Sequence, residues 1–318
     1  MAAKNTFAIV ISAAVLLVLA VSGCGADQYY SFVPSLQPSP SQSGVVKVMT
    51  YNVRVDTIAD GFNGWRTRKD RVTQTIRAHA ADVIGVQEAL DYQVWGIQQA
   101  LPQYGNYAAG RDDGKREGET CAIFYRKDRY ILLDKGTFWF SDTPSVPGSK
   151  DWGDMWPRIC SWVRLAEKDS GMAFYVYNVH MAAFSDNARE RSAQLLAKQV
   201  AARKTKEPFI VMGDFNMELD ESGMLYLQQI GIRTPYPKMV DAWVSLNSGQ
   251  IKPDTTKGLF GMFGGAQFDH IPICETARAL EVKIDRRKVD GRYPSDHFPV
   301  IAKILLEAPT TRSLSYDG

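Results

Sequence analysis

From Val45 onward, apolar and polar positions fall into two recurring patterns. Short runs alternate or are continuously apolar, the mark of strands; others repeat at helical spacing with charges between. Val45–Val53 predicts a strand with Val46, Val48 and Thr50 on one face. Trp65 to Ala81 predicts a helix, with Trp65, Val72, Ile76 and Ala80 on one side and Arg66, Arg68, Lys69 and Arg71 on a solvated face. Asp82–Val86 reads as a short buried strand. Further strands follow at Cys121–Tyr125, Ile131–Leu133, Ile159–Leu165 and Ala173–Val179, the last two a hairpin around Asp169-Ser170-Gly171. Asn187–Arg203 predicts a helix with Leu195, Leu196 and Val200 inward. Pro208–Met212, Gln267–Cys274, Leu280–Ile284 and Pro299–Leu305 complete the strands. Strands cluster too closely for a repeated strand–helix alternation, so the pattern predicts an α+β sandwich with helices outside, built as a single domain over 45–308.

The first residues break this pattern. Phe7 to Val21 is apolar apart from Ser12 and runs into Val21-Ser22-Gly23-Cys24. That run is short for a bilayer span, which needs ~20 residues, but it suits the core of a signal peptide. Small residues leading directly into a cysteine resemble a bacterial lipoprotein lipobox. The resemblance implies a signal peptide over 1–23, lipidation at Cys24, and a lipid-anchored, extracytoplasmic place in a bacterial cell envelope. A plain secretory signal with a chance cysteine is the alternative. Residues 24–44, rich in Ser and Pro, read as a flexible tether, and 309–318 as a C-terminal tail. Cys121, Cys160 and Cys274 show neither a disulfide framework nor zinc spacing, which suggests buried, small-hydrophobe roles. The chain has 318 residues, 45% of them hydrophobic, and a formal net charge of +2. The apolar content suits a globular core, while the charge lacks the basic excess of a dedicated nucleic-acid binder. No oligomerisation signature stands out, so a monomer is expected.

Chemistry-bearing residues sit where strands give way to loops. Asn52 ends the first strand, and Asp269-His270 opens a late one. Between and after them come Gln87-Glu88, Asn178-Val179-His180, Gly213-Asp214-Phe215-Asn216 and Ser295-Asp296-His297. Each has a plain structural reading by itself: Glu88 as a helix cap, Gly-Asp-x-Asn as a turn, His180 as a satisfied strand-end histidine. Their joint occurrence at strand ends points instead to one site. Carboxylates suit a hard cation that keeps several waters, and an Asp–His pair suits a base for water. Hydrolysis of a phosphoester is the chemistry that uses all of these together.

Met49-Thr-Tyr-Asn52-Val-Arg, Gln87-Glu88, Asn178-Val-His180, Gly213-Asp214-Phe-Asn216 and Tyr293-Pro-Ser-Asp296-His297-Phe-Pro-Val resemble the successive motifs of the endonuclease/exonuclease/phosphatase superfamily. Trp65-Arg-x-Arg-Lys-Asp-Arg-Val72, Gly110-Arg-Asp-Asp-Gly114, Gly136-Thr-Phe-Trp139 and Pro157-Arg-Ile-Cys160 are similar to a bacterial, often exported subgroup. The resemblance implies a four-layer α/β/β/α sandwich of the DNase I-like kind, and a Mg²⁺-dependent phosphodiesterase or phosphatase, with Mn²⁺ as a possible substitute. By motif, Glu88 is implied as principal metal ligand, with Asn52 and Asp296 near the metal. His297, oriented by Asp269, is implied to position the attacking water. Asp214 is implied to orient the nucleophile or hold a second metal. Asn216 and His180 are implied to bind phosphoryl oxygens. Arg158 is a candidate phosphate contact, its alternative being a salt-bridged strand-start arginine. Trp152 and Trp156, in the loop Ser141–Trp156, are candidate substrate walls, as is the loop Gly258–Gly265. The substrate class stays open among small phosphorylated molecules, nucleic acid and phospholipid head groups. His180-Met181-Ala182-Ala183 departs from the subgroup, which often carries Asp-His at the last two positions. That departure motivates an alternative, a catalytically weakened surface module that binds a phosphorylated ligand.

Overall fold

The computed structural model describes residues 44–247, 253–257 and 265–307. The expected signal peptide, Cys24, most of the tether, the C-terminal tail and nearly all of the loop 258–265 lie outside the described residues. Among the described residues, no helix is long and apolar enough to cross a membrane.

In chain order the elements are β1 (Val45–Asn52), α1 (Trp65–His79), β2 (Val83–Ala89), α2 (Asp91–Ala100), β3 (Tyr104–Tyr107), β4 (Thr120–Arg126), β5 (Tyr130–Trp139), β6 (Ile159–Glu167) and β7 (Ala173–His180). Then follow α3 (Asp186–Ala201), β8 (Phe209–Asp214), α4 (Ser222–Gln228), β9 (Met239–Asp241), α5 (Ala242–Leu246), β10 (Asp269–His270), β11 (Pro272–Cys274), β12 (Ala277–Ile284) and β13 (Val300–Leu306). They form two mixed sheets. The first runs β12-β13-β1-β2-β4-β3, and the second β5-β6-β7-β8-β11-β9, with β10 also paired to β8. Each sheet contains one parallel pair, β1–β2 and β7–β8, and in each the crossover is a helix, α1 or α3.

The two-residue period of the strands sorts their side chains into layers. Val46 and Val48 of β1, Phe174 and Val176 of β7, and Ile210 and Met212 of β8 meet in the core between the sheets. The intervening residues face outward. Met49, Tyr51, Ile84 and Val86 pack on Val72, Ile76, Val94 and Ile97 of α1 and α2. Tyr175, Tyr177 and Val211 pack on Leu196 and Val200 of α3 and on Met224 and Leu227 of α4. The result is the expected four-layer α/β/β/α sandwich. Fully burying one such aliphatic side chain stabilises the fold by about 1.5–3 kcal/mol. Local signals agree: Ser185 caps α3 by accepting from Ala188 N–H at 3.1 Å, and α1 stops where Ala80 turns left-handed at φ 44°. The three cysteines Cys121, Cys160 and Cys274 are free and buried.

Several expectations are corrected. Ala80 caps α1 and is exposed, and the buried residue there is Ala81. The run 267–274 is two short strands interrupted at Ile271, where the backbone N–H turns to Asp241 Oδ2 at 3.1 Å. The largest correction is Arg68. Arg66 and Lys69 do lie on a solvated face, but the Arg68 side chain is 0% exposed. It spends its donors on backbone carbonyls: Nη1 on Val53 at 2.6 Å and Pro294 at 3.2 Å, Nη2 on Arg54 at 3.2 Å, and Nε on Asn63 at 2.7 Å.

Candidate active site

At one end of the sandwich the inward faces change character without changing period. Val46-Val48 continues as Thr50 and Asn52, Val83 as Gln87, Phe174-Val176 as Asn178 and His180, and Ile210-Met212 as Asp214. All of these polar residues are buried, so each must find a partner. A layer of amides joins the sheets first. Gln87 Nε2 donates to Thr50 Oγ1 at 3.0 Å and to Asn178 Oδ1 at 2.6 Å, and Asn178 Nδ2 donates to the Val86 and Ala122 carbonyls at 3.1 and 2.9 Å. Gly85 leaves the room this layer needs, since a Cβ there would sit 2.9 Å from Asn178 and from Met212.

Glu88 breaks the period, which alone would turn it outward. A bulge between Gln87 and Ala89, with Glu88 left-handed at φ 65°, swings it to the site. There Oε1 accepts from Asn52 Nδ2 at 2.8 Å and Oε2 from the Val55 N–H at 2.9 Å, so Glu88 does not cap the following helix. Backbone strain of this kind costs ~1–3 kcal/mol and persists where neighbouring contacts fix it.

Asp214 lies at the centre. Its Oδ2 accepts from Asn52 Nδ2 at 3.0 Å and stands 3.7 Å from His180 Nε2 and 3.8 Å from His297 Nε2. Its Oδ1 accepts from the Asn216 N–H at 2.9 Å, the turn bond the Gly-Asp-x-Asn sequence suggests. His297 Nδ1 meets Asp269 Oδ2 at 2.8 Å, and β10 brings Asp269 opposite Asp214 in register. On the other flank, Arg158 Nη1 meets His180 Nε2 at 3.0 Å while Arg158 Nε pairs with Asp154 at 3.1 Å. Glu119 stands 3.7 Å from His180 Nδ1 and is held by Arg111 at 2.7 Å.

These neighbours divide the titrations. Burial drives Asp214 up to about 6; His297 opposes it and Asp269 reinforces it. Burial lowers His180 well below its usual range, and the cations Arg158 and Arg111 push the same way. Burial also works against charge on His297, but Asp269 and Asp214 together overcome it and hold the imidazolium well above its usual range. Burial raises Glu119 to about 7, with Arg111 opposing and Glu88 adding.

The fold therefore brings Asn52, Glu88, His180, Asp214, Asp269 and His297 together. Beside His297, the Asp296 carboxylate is engaged by Arg54 Nη1 and, at 3.2 Å, accepts from Ser295 Oγ. Asn216, left-handed at φ 50°, donates Nδ2 to the Met181 carbonyl at 3.0 Å and so ties the loops after β7 and β8. Trp152 leans on its own domain, its indole N–H on Asp142 at 3.1 Å and its ring beneath Arg191. Trp156 is 40% exposed, beside the Arg158 guanidinium and the exposed Phe184 ring, so of the two tryptophans it is the one open to a ligand. At the subgroup departure, Ala182 is buried, and the Ala182 and Ala183 carbonyls accept from Arg189 at 3.4 and 3.2 Å. Sequence reasoning gave no role to Arg54, Arg111 or Glu119. The Gly110-Arg-Asp-Asp-Gly114 motif was the one signal for Arg111, and nothing local marked Glu119.

Among the described residues, two groups of side chains offer ligand atoms that lie within 4.8 Å of one another: Glu88, His180 and Asp214, and Asp214, Asp269 and His297. The donor set fits a divalent cation. Glu88 and Asp214 turn carboxylate oxygens toward a single neutral amide, Asn52, an arrangement of like charges that a cation would relieve.

The sequence profile described as Endonuclease/Exonuclease/phosphatase family matches residues 49–297. Among solved structures, the chain is similar to an endonuclease/exonuclease/phosphatase from Bacteroides vulgatus, at 31% identity and a TM-score of 0.75, over 83% of this chain and 99% of that one. It is also similar to a mannosyl-6-phosphatase of Bacteroides thetaiotaomicron, at 31% identity and a TM-score of 0.72, over 82% of this chain and all of that one. In sequence it is 28% identical over 192 residues to the CCR4-Not complex 3'-5'-exoribonuclease subunit Ccr4 of Mycosarcoma maydis, covering 51% of this chain but 29% of that protein. The chain spans only part of the curated relatives it matches, 60% of the first of them, an uncharacterized protein of Acanthamoeba polyphaga mimivirus. With the profile spanning most of the described domain and the site residues gathered at its rim, the chain belongs to the endonuclease/exonuclease/phosphatase family, whose members are hydrolases acting on phosphoester bonds.

Proposed function

We propose that this chain is a divalent-metal-dependent hydrolase of small phosphoesters, with sugar phosphate monoesters the favoured class, acting outside the cytoplasm as a monomer anchored through a lipid on Cys24. The observation that carries the reading is Asp214 set between two imidazoles of opposite character, with Glu88 bridged to it by Asn52. Glu88 and Asp214 would hold the cation, Mg²⁺ or Mn²⁺, which when bound supplies charge neutralisation at the phosphate. Asp269 fixes the His297 ring, so Nε2 is the atom left to orient water and exchange its proton. Arg158 presents donors to the phosphoryl oxygens beside His180, whose Nε2 accepts from Arg158 Nη1, and a negative charge developing there is stabilised by groups already in place. The modest net charge of +2 argues against a long polyanion, which normally needs a basic track. The similarity to a mannosyl-6-phosphatase supports a small sugar phosphate.

The test is a substrate panel on the purified chain with Mg²⁺ or Mn²⁺, covering sugar 6-phosphates, glycerol phosphate, inositol phosphates, phosphodiesters, single-stranded DNA and RNA. Glu88→Ala and His297→Ala are run beside the wild type. Turnover of sugar phosphates that chelation and both substitutions abolish supports the reading. A folded protein that binds these esters without turnover would favour the weakened surface module suggested by Ala182 and Ala183. The anchor is tested separately: Cys24→Ser should release the protein from membranes and alter its processed mass, and unchanged fractionation removes that part of the proposal.

A further inference from the structure

The buried guanidinium of Arg68 stands outside the site and yet touches both of the segments that build one side of it. It comes from the first turns of α1, and its side chain is the largest among the fully buried ones. Its four backbone acceptors come from three stretches of chain: Val53 and Arg54 just after β1, Asn63 before α1, and Pro294, 226 residues away. The nearest carboxylate, Asp60, is 3.9 Å off, so the charge is compensated mainly by carbonyl dipoles.

What those carbonyls belong to gives the contact its meaning. Arg54 is left-handed at φ 61°, and its N–H holds Asn52 Oδ1 at 2.9 Å, which leaves Nδ2 aimed at Glu88 and Asp214. The Arg54 side chain closes on Asp296. Pro294 leads directly into Ser295, whose Oγ donates to the Asn52 carbonyl at 2.8 Å, and then into Asp296 and His297. One planar fork thus pins the turn that orients Asn52 to the loop that delivers His297. A lysine, with three donors on a point charge, cannot span the same four acceptors.

We infer that Arg68 is a positioning residue of the phosphoesterase site, setting the Asn52–Arg54 turn against the Pro294–His297 loop. The inference rests on the proposed hydrolysis only for its kinetic readout. Arg68 acts through Asn52 and His297 and touches no reacting atom.

The test compares Arg68→Lys with Val72→Ala, a cavity-forming change one turn along the same helix that leaves the carbonyls alone. Full-length protein is used for both. Arg68→Lys should lower kcat on the best sugar phosphate by roughly 10–100-fold with KM changed less than about threefold, as expected when reacting groups are slightly misplaced. Val72→Ala should match its loss of melting temperature while keeping kcat within about twofold of wild type, the default for a change remote from the reacting groups. In parallel, ¹H–¹³C spectra of the four histidine rings in metal-free protein should show the His297 cross-peak displaced or broadened by Arg68→Lys and not by Val72→Ala. Equal kcat losses in the two variants, or a His297 cross-peak that moves in both or in neither, overturns the inference. If wild-type protein hydrolyses nothing, the proposed function fails, and the histidine spectra still decide the role of Arg68. Should Arg68→Lys fail to fold, Arg68→Gln at reduced temperature takes its place in both measurements.

Discussion

His180 and His297 stand almost equally far from the same carboxylate oxygen of Asp214, and their surroundings push them in opposite directions. His180 ends a strand of the second sheet with two arginines at its back, and it is held neutral. His297 sits on the loop before β13 with Asp269 behind it, and it is held cationic. Distance to a shared partner therefore says little about role. What lies on the far side of each ring decides it, and separating two like groups in this way equips one site with a neutral donor or acceptor and a proton-exchanging group.

The comparison is broken most strongly at the His297 side. Asp269→Asn removes the charge that fixes and holds the imidazolium, and turnover should fall about 10³-fold, measured as kcat on the best substrate of the panel. Retention of activity within tenfold would detach His297 from the chemistry. On the opposite flank, Arg158→Met takes away the nearest cation, so the His180 pKa should rise toward its ordinary range in a ring-proton titration. The lost donor should lower kcat/KM by about 10²-fold. A His180 titration that stays unchanged would leave its shift to burial and Arg111.

The same contrast also predicts stability. In chelator-treated protein the raised His297 pKa adds stability below its unfolded value of about 6.5, and this is lost as pH rises through the higher folded value. His180, lowered, works the other way and destabilises the fold as pH drops below about 6.5. Asp269→Asn should therefore flatten the alkaline limb of a melting-temperature profile and leave the acid limb in place.

A third Asp–His pair, away from the site, is the control. His79 Nε2 meets Asp285 Oδ2 at 2.7 Å, and Arg287 Nε donates to Asp285 Oδ1 at 2.7 Å. Burial opposes ionisation of Asp285, but the bonds from His79 and Arg287 outweigh it and hold its carboxyl well below the usual range. Asp285→Asn should leave kcat unchanged and cost about 2 kcal/mol at neutral pH by denaturant unfolding. A depressed carboxylate contributes fully above its unfolded pKa of about 3.9 and loses that contribution as pH falls further, so wild type and variant should converge in acid.

Much of this was legible in the sequence because strand period carries through the site. In β1, β7 and β8 the inward positions turn from Val, Phe and Met to Asn, His and Asp without a slip, so strand-end polarity was a sound guide. The parts that escaped depend on geometry a pattern cannot hold. Glu88 reaches the site only through a bulge. Arg68 looks like its charged neighbours and differs only in what lies over it. Helix α2 escapes the pattern because Tyr92 and Trp95 are exposed and blur its apolar face, and only three residues of β5 register because Asp134, Lys135 and Gly136 interrupt its apolar run. The short β3, Tyr-Gly-Asn-Tyr, has too little alternation to register.

The pairing of β1 with β13 fixes more than a sheet edge. Val45 lies opposite Leu305, and the Leu306 N–H donates to the Gly44 carbonyl at 2.8 Å, so the chain enters and leaves the domain side by side. That doorway is at the start of β1, whereas Asn52 marks the site at its other end, seven residues on and so about 23 Å away. A fusion, surface attachment or circular permutation made at this doorway leaves the mouth of the site pointing away from whatever holds the protein.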